Sequence, residues 1–266
     1  MASRRTPVTP EDLEQIIVPS QPQISPDGKT VLFARQHAGP KNTKVSNLWA
    51  VPAEGGTPRI MTSGDKGGHG RWSPDGTQIA FISGRDGGTM QIRLLPSGGG
   101  ESSALTKLPG GSIAGFSWSP DGRSIAFLWR EADPDWTEPA KKARQEAGAS
   151  PPPRIVTTPW YRLDGDGYFM DRRYVLKVVD VSTGKARTIW NKDGMGFVSY
   201  DWSPDSKTMA ITTVCGRRAE YNWEKTQIRL INVKSGKNVH LDWLPVGPKD
   251  TLAWSPDGKW LAYSGR

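Results

Sequence analysis

Cysteine is almost missing from this chain: Cys215 is the single copy in 266 residues. A lone cysteine closes no internal disulfide and supports no metal-ligand spacing, which fits a reducing compartment. Histidine is nearly as scarce, with His37, His69 and His240. No run approaches the ~18 apolar residues of a membrane-spanning helix. Behind Arg4-Arg5 comes Thr6-Pro7-Val8-Thr9-Pro10-Glu11-Asp12, without the apolar stretch of a secretory signal. The expected location is the cytoplasm, with no membrane partner. The nucleophile elbow Gly-x-Ser-x-Gly is absent too; its nearest imitation, Gly110-Gly111-Ser112-Ile113-Ala114, ends in alanine. Gly28-Lys29-Thr30 mimics the tail of a phosphate loop, but Gln23 stands where the first glycine belongs. No catalytic, cofactor-binding or metal residue is therefore assigned, no cofactor is expected, and the three histidines read as structural or solvated.

The net charge of +8 is spread thinly. Arg4-Arg5, Lys141-Lys142, Arg172-Arg173 and Arg217-Arg218 are isolated pairs, not the runs or stripes that track a phosphate backbone. Nucleic acid is not an expected partner.

What is present in quantity is turn chemistry: 30 Gly and 22 Pro, residues that break helices and supply tight turns. Ser25-Pro26-Asp27-Gly28 recurs as Ser73-Pro74-Asp75-Gly76, Ser119-Pro120-Asp121-Gly122, Ser203-Pro204-Asp205-Ser206 and Ser255-Pro256-Asp257-Gly258, at spacings of 48, 46, 84 and 52 residues. Trp precedes four copies (Trp72, Trp118, Trp202, Trp254), and Ile24 the first. An apolar cluster follows each, as in Val31-Leu32-Phe33 and Ile79-Ala80-Phe81. Proline presets φ, aspartate bonds nearby amides and glycine accepts a left-handed conformation, so Asp27, Asp75, Asp121, Asp205 and Asp257, with Gly28, Gly76, Gly122 and Gly258, are the structural residues of a repeated hairpin turn. Third strands read at Asn47-Leu48-Trp49-Ala50-Val51, Gln91-Ile92-Arg93-Leu94-Leu95, Tyr174-Val175-Leu176-Lys177-Val178-Val179 and Gln227-Ile228-Arg229-Leu230-Ile231, with a short fourth such as Arg59-Ile60-Met61-Thr62. Four strands per ~45 residues is a propeller blade. Five copies in like context argue against a β-sandwich, and no Trp-Asp dipeptide supports WD repeats. The predicted fold is all-β, a single propeller over 1–266 with about five blades present.

Two departures stand out. The 84-residue gap holds an insertion in the third blade, about 131–172. Residues 135–147 predict a short exposed helix ending at Gly148, and Ile155-Val156 with Trp160-Tyr161-Arg162-Leu163 predict strand leading to a turn at Asp164-Gly165-Asp166-Gly167. Asp164 and Asp166 read as turn formers, because the further acids of a calcium loop are missing. The second departure is at the ends. Thr9, Pro10 and Asp12 predict a capped helix over 9–18, and the chain stops after the second strand of the fifth blade, which leaves that blade incomplete.

The repeat resembles the propeller repeat of TolB and of the N-terminal domain of prolyl-oligopeptidase-family serine peptidases. Arg154-Ile155-Val156, Tyr161-Arg162-Leu163-Asp164-Gly165-Asp166-Gly167-Tyr168 and Asp171-Arg172-Arg173, with the opening Thr9-Pro10-Glu11-Asp12-Leu13, are similar to the acylaminoacyl-peptidase and dipeptidyl-peptidase branch. The resemblance implies seven blades and a following α/β-hydrolase domain, absent from this chain, as the propeller's partner. It also implies a peptide substrate, short or N-blocked, whose access the propeller restricts. The alternative is a stand-alone TolB-like scaffold for protein partners. Some members of that family hold a substrate amine with propeller glutamates. Glu131 and Glu138 match no such motif by their flanks, and that role is not transferred.

Overall fold

The structure, a computed structural model, describes residues 7–85, 88–216 and 218–265. Arg4-Arg5, Arg217 and Arg266 lie outside them. Two compact units divide the chain, up to Leu105 and from Thr106 onward.

The first unit contains two four-stranded antiparallel sheets. One runs in the order β1 (Val18–Ile24), β2 (Thr30–Gly39), β3 (Thr43–Pro52), β4 (Arg59–Ile60). The other is β5 (Gly67–Trp72), β6 (Gln78–Ser83), β7 (Gln91–Pro96), β8 (Ser103–Ala104). Alternate residues of β2 and β3, Leu32, Ala34, Leu48 and Ala50, pack with Trp72, Ile79, Phe81 and Leu95 into one core. Each strand shows one face to that core, as period-two geometry requires. Gly70 sits where β5 approaches closest: a Cβ there would lie 2.7 Å from Leu32 and 2.9 Å from Leu48.

The second unit opens with β9 (Gly111–Trp118), β10 (Ser124–Glu131), α1 (Glu138–Glu146), β11 (Arg162–Leu163), β12 (Gly167–Tyr168), β13 (Val175–Asp180) and β14 (Ala186–Trp190). Strands β9, β10, β13 and β14 form one sheet, so the insertion falls between its second and third strands. Then come β15 (Tyr200–Trp202), β16 (Thr208–Thr213), β17 (Gln227–Asn232) and β18 (Asn238–His240) as another four-stranded sheet, and the pair β19 (Lys249–Trp254) and β20 (Leu261–Gly265). One core joins Leu176, Val178 and Trp190 to Trp202, Met209 and Ile231; a smaller one joins Ile228 and Ala210 to Leu252.

The repeat sets one register five times over: Ile24 opposes Val31, Trp72 Ile79, Trp118 Ile125, Trp202 Met209 and Trp254 Leu261. Two local expectations change. The capped helix over 9–18 is a 3-10 helix at Pro10–Gln15, with the Asp12 carboxylate accepting the Thr9 N–H at 2.8 Å. Its residues are mostly exposed, so no apolar face holds a longer α-helix in place. Ile155-Val156 joins no strand, because β11 and β12 pair only with each other. Helix α1 forms as the Ala/Lys/Glu composition suggests, and Gly148 at φ 62° ends it, with the Ala149 N–H donating back to the Arg144 carbonyl.

Candidate functional site

The five repeat turns share one wiring. The Ser hydroxyl donates to Asp Oδ1 at 2.5 to 2.7 Å in every copy. The same Oδ1 accepts the N–H two residues on, from Lys29, Thr77, Arg123, Lys207 and Lys259. These bonds hold the carboxyls of Asp27, Asp75, Asp205 and Asp257 below the usual carboxylate range, the serine hydroxyl being the main cause. Gly28, Gly76, Gly122 and Gly258 take φ between 70° and 75°, whereas Ser206 takes φ 60° and carries a side chain there. Its hydroxyl accepts the Asp121 N–H of the neighbouring turn at 3.0 Å. The turns are scaffolding, and their carboxylates are committed.

Adjacent sheets are also stitched side chain to backbone. Gln23 Oε1 accepts the Trp72 N–H and Asp201 Oδ2 accepts the Trp254 N–H, each at 2.7 Å. Both acceptors stand two residues before the repeat serine, an offset that the sequence itself carries. In the first unit His69, at φ 54°, is clamped by Gln21, whose Oε1 accepts the His69 N–H at 2.8 Å while its Nε2 lies 3.0 Å from Nδ1. Burial, reinforced by the charge of Arg71, lowers the His69 pKa. His37 is exposed on β2, and His240 lies on β18. Ser112 lies within β9 opposite Arg130, not on a strand-to-helix elbow. Glu138 in α1 accepts from Lys141, and Glu131 ends β10 at 3.8 Å from Arg172. Asp166 does more than form a turn: its two oxygens accept from Arg130 at 2.6 and 2.8 Å, tying the β11–β12 hairpin to β10. Among the described residues no three His, Cys, Asp or Glu side chains gather as a metal cage, and no helix is long and apolar enough to cross a membrane.

The largest cavity described lies in the second unit, about 860 Å³, walled by Leu128, Trp160, Met195, Phe197, Val198 and Trp223. Trp160 is brought there by the insertion. Its ring meets Phe197 edge-on at 5.5 Å, and its indole N–H donates to the Met195 carbonyl at 2.9 Å. Arg173 fixes the same segment by donating to the carbonyls of Trp160, Met170 and Gly194 at 2.8 to 2.9 Å. The segment carrying Met195 and Phe197 hangs on buried Asp193, whose carboxylate accepts the Met195, Gly196 and Val214 N–H groups and the Thr213 hydroxyl. Three charged side chains reach the cavity, Glu220, Lys249 and Asp250. The Lys249 ammonium is buried against the carbonyls of Thr226, Pro245 and Gly247. Such a site can hold apolar side chains of an extended ligand; no nucleophile and base meet in it.

No protein-family profile matches the chain. Individual proteins do. The uncharacterized peptidase YuxL of Bacillus subtilis (strain 168) is 30% identical over 208 residues, 77% of this chain and 31% of that protein. Dipeptidyl-peptidase 5 of Porphyromonas gingivalis is 26% identical over 273 residues, 96% of this chain and 38% of that protein. The chain thus spans about a third of the length of these curated relatives. Among solved structures, the Pyrococcus horikoshii acylaminoacyl peptidase aligns with TM-score 0.63 at 16% identity, over 86% of this chain and 33% of that one. The β-propeller domain of the Trilobed protease from Pyrococcus furiosus aligns at 0.53 and 12%, over 86% and 57%. TolB from Acinetobacter baumannii aligns at 0.51 and 18%, over 85% and 43%. The fold is a β-propeller fold, shared with propeller domains of peptidases and with TolB, and the homologues include peptidases.

Proposed function

We propose, from a chain whose curated relatives include peptidases, that it is the propeller portion of a cytoplasmic serine peptidase acting on short or N-blocked peptides. In this reading the catalytic triad resides on an α/β-hydrolase domain of a longer protein, and the propeller restricts what reaches it. The observation that carries the reading is the 30% identity to a peptidase over 208 residues, which span most of this chain. The apolar cavity under Trp160, Phe197 and Trp223 supports it, offering a wall along which an extended peptide can slide while a folded protein is kept out.

The intact mass of the native protein, taken with labelling by a fluorophosphonate probe, tests the proposal. A product well above the 29.2 kDa of this chain that takes the probe is the expected result. A native mass of 29.2 kDa without labelling would refute it and leave a TolB-like binding scaffold.

A further inference from the structure

The insertion also closes over a second, smaller cavity of about 250 Å³, whose charged lining is Arg130, Arg154 and Arg172 with Glu131, Asp133 and Asp166. Charges balance in number but not in commitment. Asp166 gives both oxygens to Arg130. Asp133 Oδ1 accepts the Asp135 N–H at 3.0 Å and so caps the 3-10 turn at Pro134–Trp136. Glu131 stands 3.8 Å from Arg172, an ion pair too long for a hydrogen bond. Arg154 has no carboxylate within ion-pairing distance among the described residues. Instead its guanidinium carbon lies 3.5 Å from the ring centroid of Trp136 and 4.2 Å from that of Tyr168.

Two aromatic contacts orient a guanidinium without using its N–H groups. Those donors lie in the guanidinium plane, in the fork that takes a carboxylate through two parallel hydrogen bonds. We propose that this cavity is a carboxylate site, with Arg154 as the principal donor and Arg172 as the second. Its volume sits just below that of drug-sized pockets and suits a carboxylate on a short stem. An acidic peptide side chain and a free dicarboxylate share this chemistry. Glu131 opposes it, since its carboxylate competes for Arg172. The site does not depend on the peptidase reading.

Calorimetric titration of the 266-residue chain with N-acetyl-Gly-Glu-Gly-amide, its Gln analogue and glutarate tests the proposal. The Glu peptide or glutarate is expected to bind, with the Gln analogue weaker by about tenfold or more, the loss of one charge-assisted contact. Tighter binding of the Glu peptide assigns the site to peptides, and tighter glutarate assigns it to small dicarboxylates. Arg154→Gln should lower affinity by a similar factor with only a small fall in the unfolding midpoint, because Arg154 is exposed and loses only its two ring contacts. Glu131→Gln should raise affinity several-fold. Equal binding of Glu and Gln peptides, no heat from any probe, an unchanged Arg154→Gln variant or weakened binding in Glu131→Gln would each overturn the assignment.

Discussion

Replacing Asp193 by alanine strips the acceptor from four donors at once: the N–H groups of Met195, Gly196 and Val214 and the hydroxyl of Thr213. Asp193 is 5% exposed, so water cannot take its place without opening the loop. Hydrogen bonds to a charged group contribute about 1.5–3 kcal/mol each and are not additive within a network, so the summed loss should be about 3–5 kcal/mol. Asparagine keeps one oxygen for Met195 and Gly196 but turns an NH2 toward the Val214 N–H, a donor facing a donor, and should cost about 2 kcal/mol. For a unit of this size 1 kcal/mol corresponds to roughly 2–4 °C, so Asp193→Ala should lower the melting midpoint of the second unit by roughly 10 °C. Scanning calorimetry reads the shift, and the Trp190 indole N–H resonance in NMR reads the local change, since that group donates to Thr213 at 3.0 Å. A fall of less than about 2 °C in the alanine variant would show that the carboxylate is not the anchor of this loop.

Ser206→Gly relieves a left-handed residue, worth about 1 kcal/mol, but removes the bond to the Asp121 N–H, worth about as much. Denaturant unfolding should show a net change well below about 1 kcal/mol, and a gain of the full ~1 kcal/mol would mean that the hydroxyl contributes nothing. His69 has a folded pKa lowered by burial, so its contribution is complete above the unfolded value near 6.5 and declines as pH falls toward the lowered one. Stability of the first unit, followed from pH 7.5 downward, should drop in that window, and His69→Gln should flatten the drop. The turn aspartates Asp27, Asp75, Asp205 and Asp257 act lower on the scale: their contribution is present above the ordinary carboxylate pKa and is lost as pH falls through their depressed values. Ser25→Ala should move the Asp27 titration, followed by NMR, back upward. In the 266-residue chain on its own, β20 pairs only with β19 among the described residues, so that edge beside exposed Trp260 should give concentration-dependent association in sedimentation velocity.

Strands, registers and turns were legible because one local rule recurs: proline, aspartate and glycine make the turn, and seven residues separate each Trp or Ile from its cross-strand partner. The cavities were not. Arg130 and Asp166 stand 36 residues apart, Asp193 and Thr213 stand 20 apart, and none of the four belongs to a repeated position. The first partnership depends on where the insertion folds back and the second on where the loop after β14 meets the end of β16, and local propensity encodes neither. Asp166 was readable as a turn former because Asp-Gly turns are local; its bidentate bond to Arg130 is not. Gln23 and Asp201 are the intermediate case, two polar residues at one offset from the serine that alignment of the repeats alone would have exposed.

Arg173 holds the insertion by the main chain. Its guanidinium donates to the carbonyl oxygens of Trp160, Met170, Arg172 and Gly194. A carbonyl is supplied by every residue type, so this anchor is indifferent to what the insertion carries. Side chains at positions such as 161 can change while the loop keeps its path, provided that Arg173 and the Arg130–Asp166 pair remain. A cavity wall built this way can be refitted to a new ligand one residue at a time, without the support being redesigned.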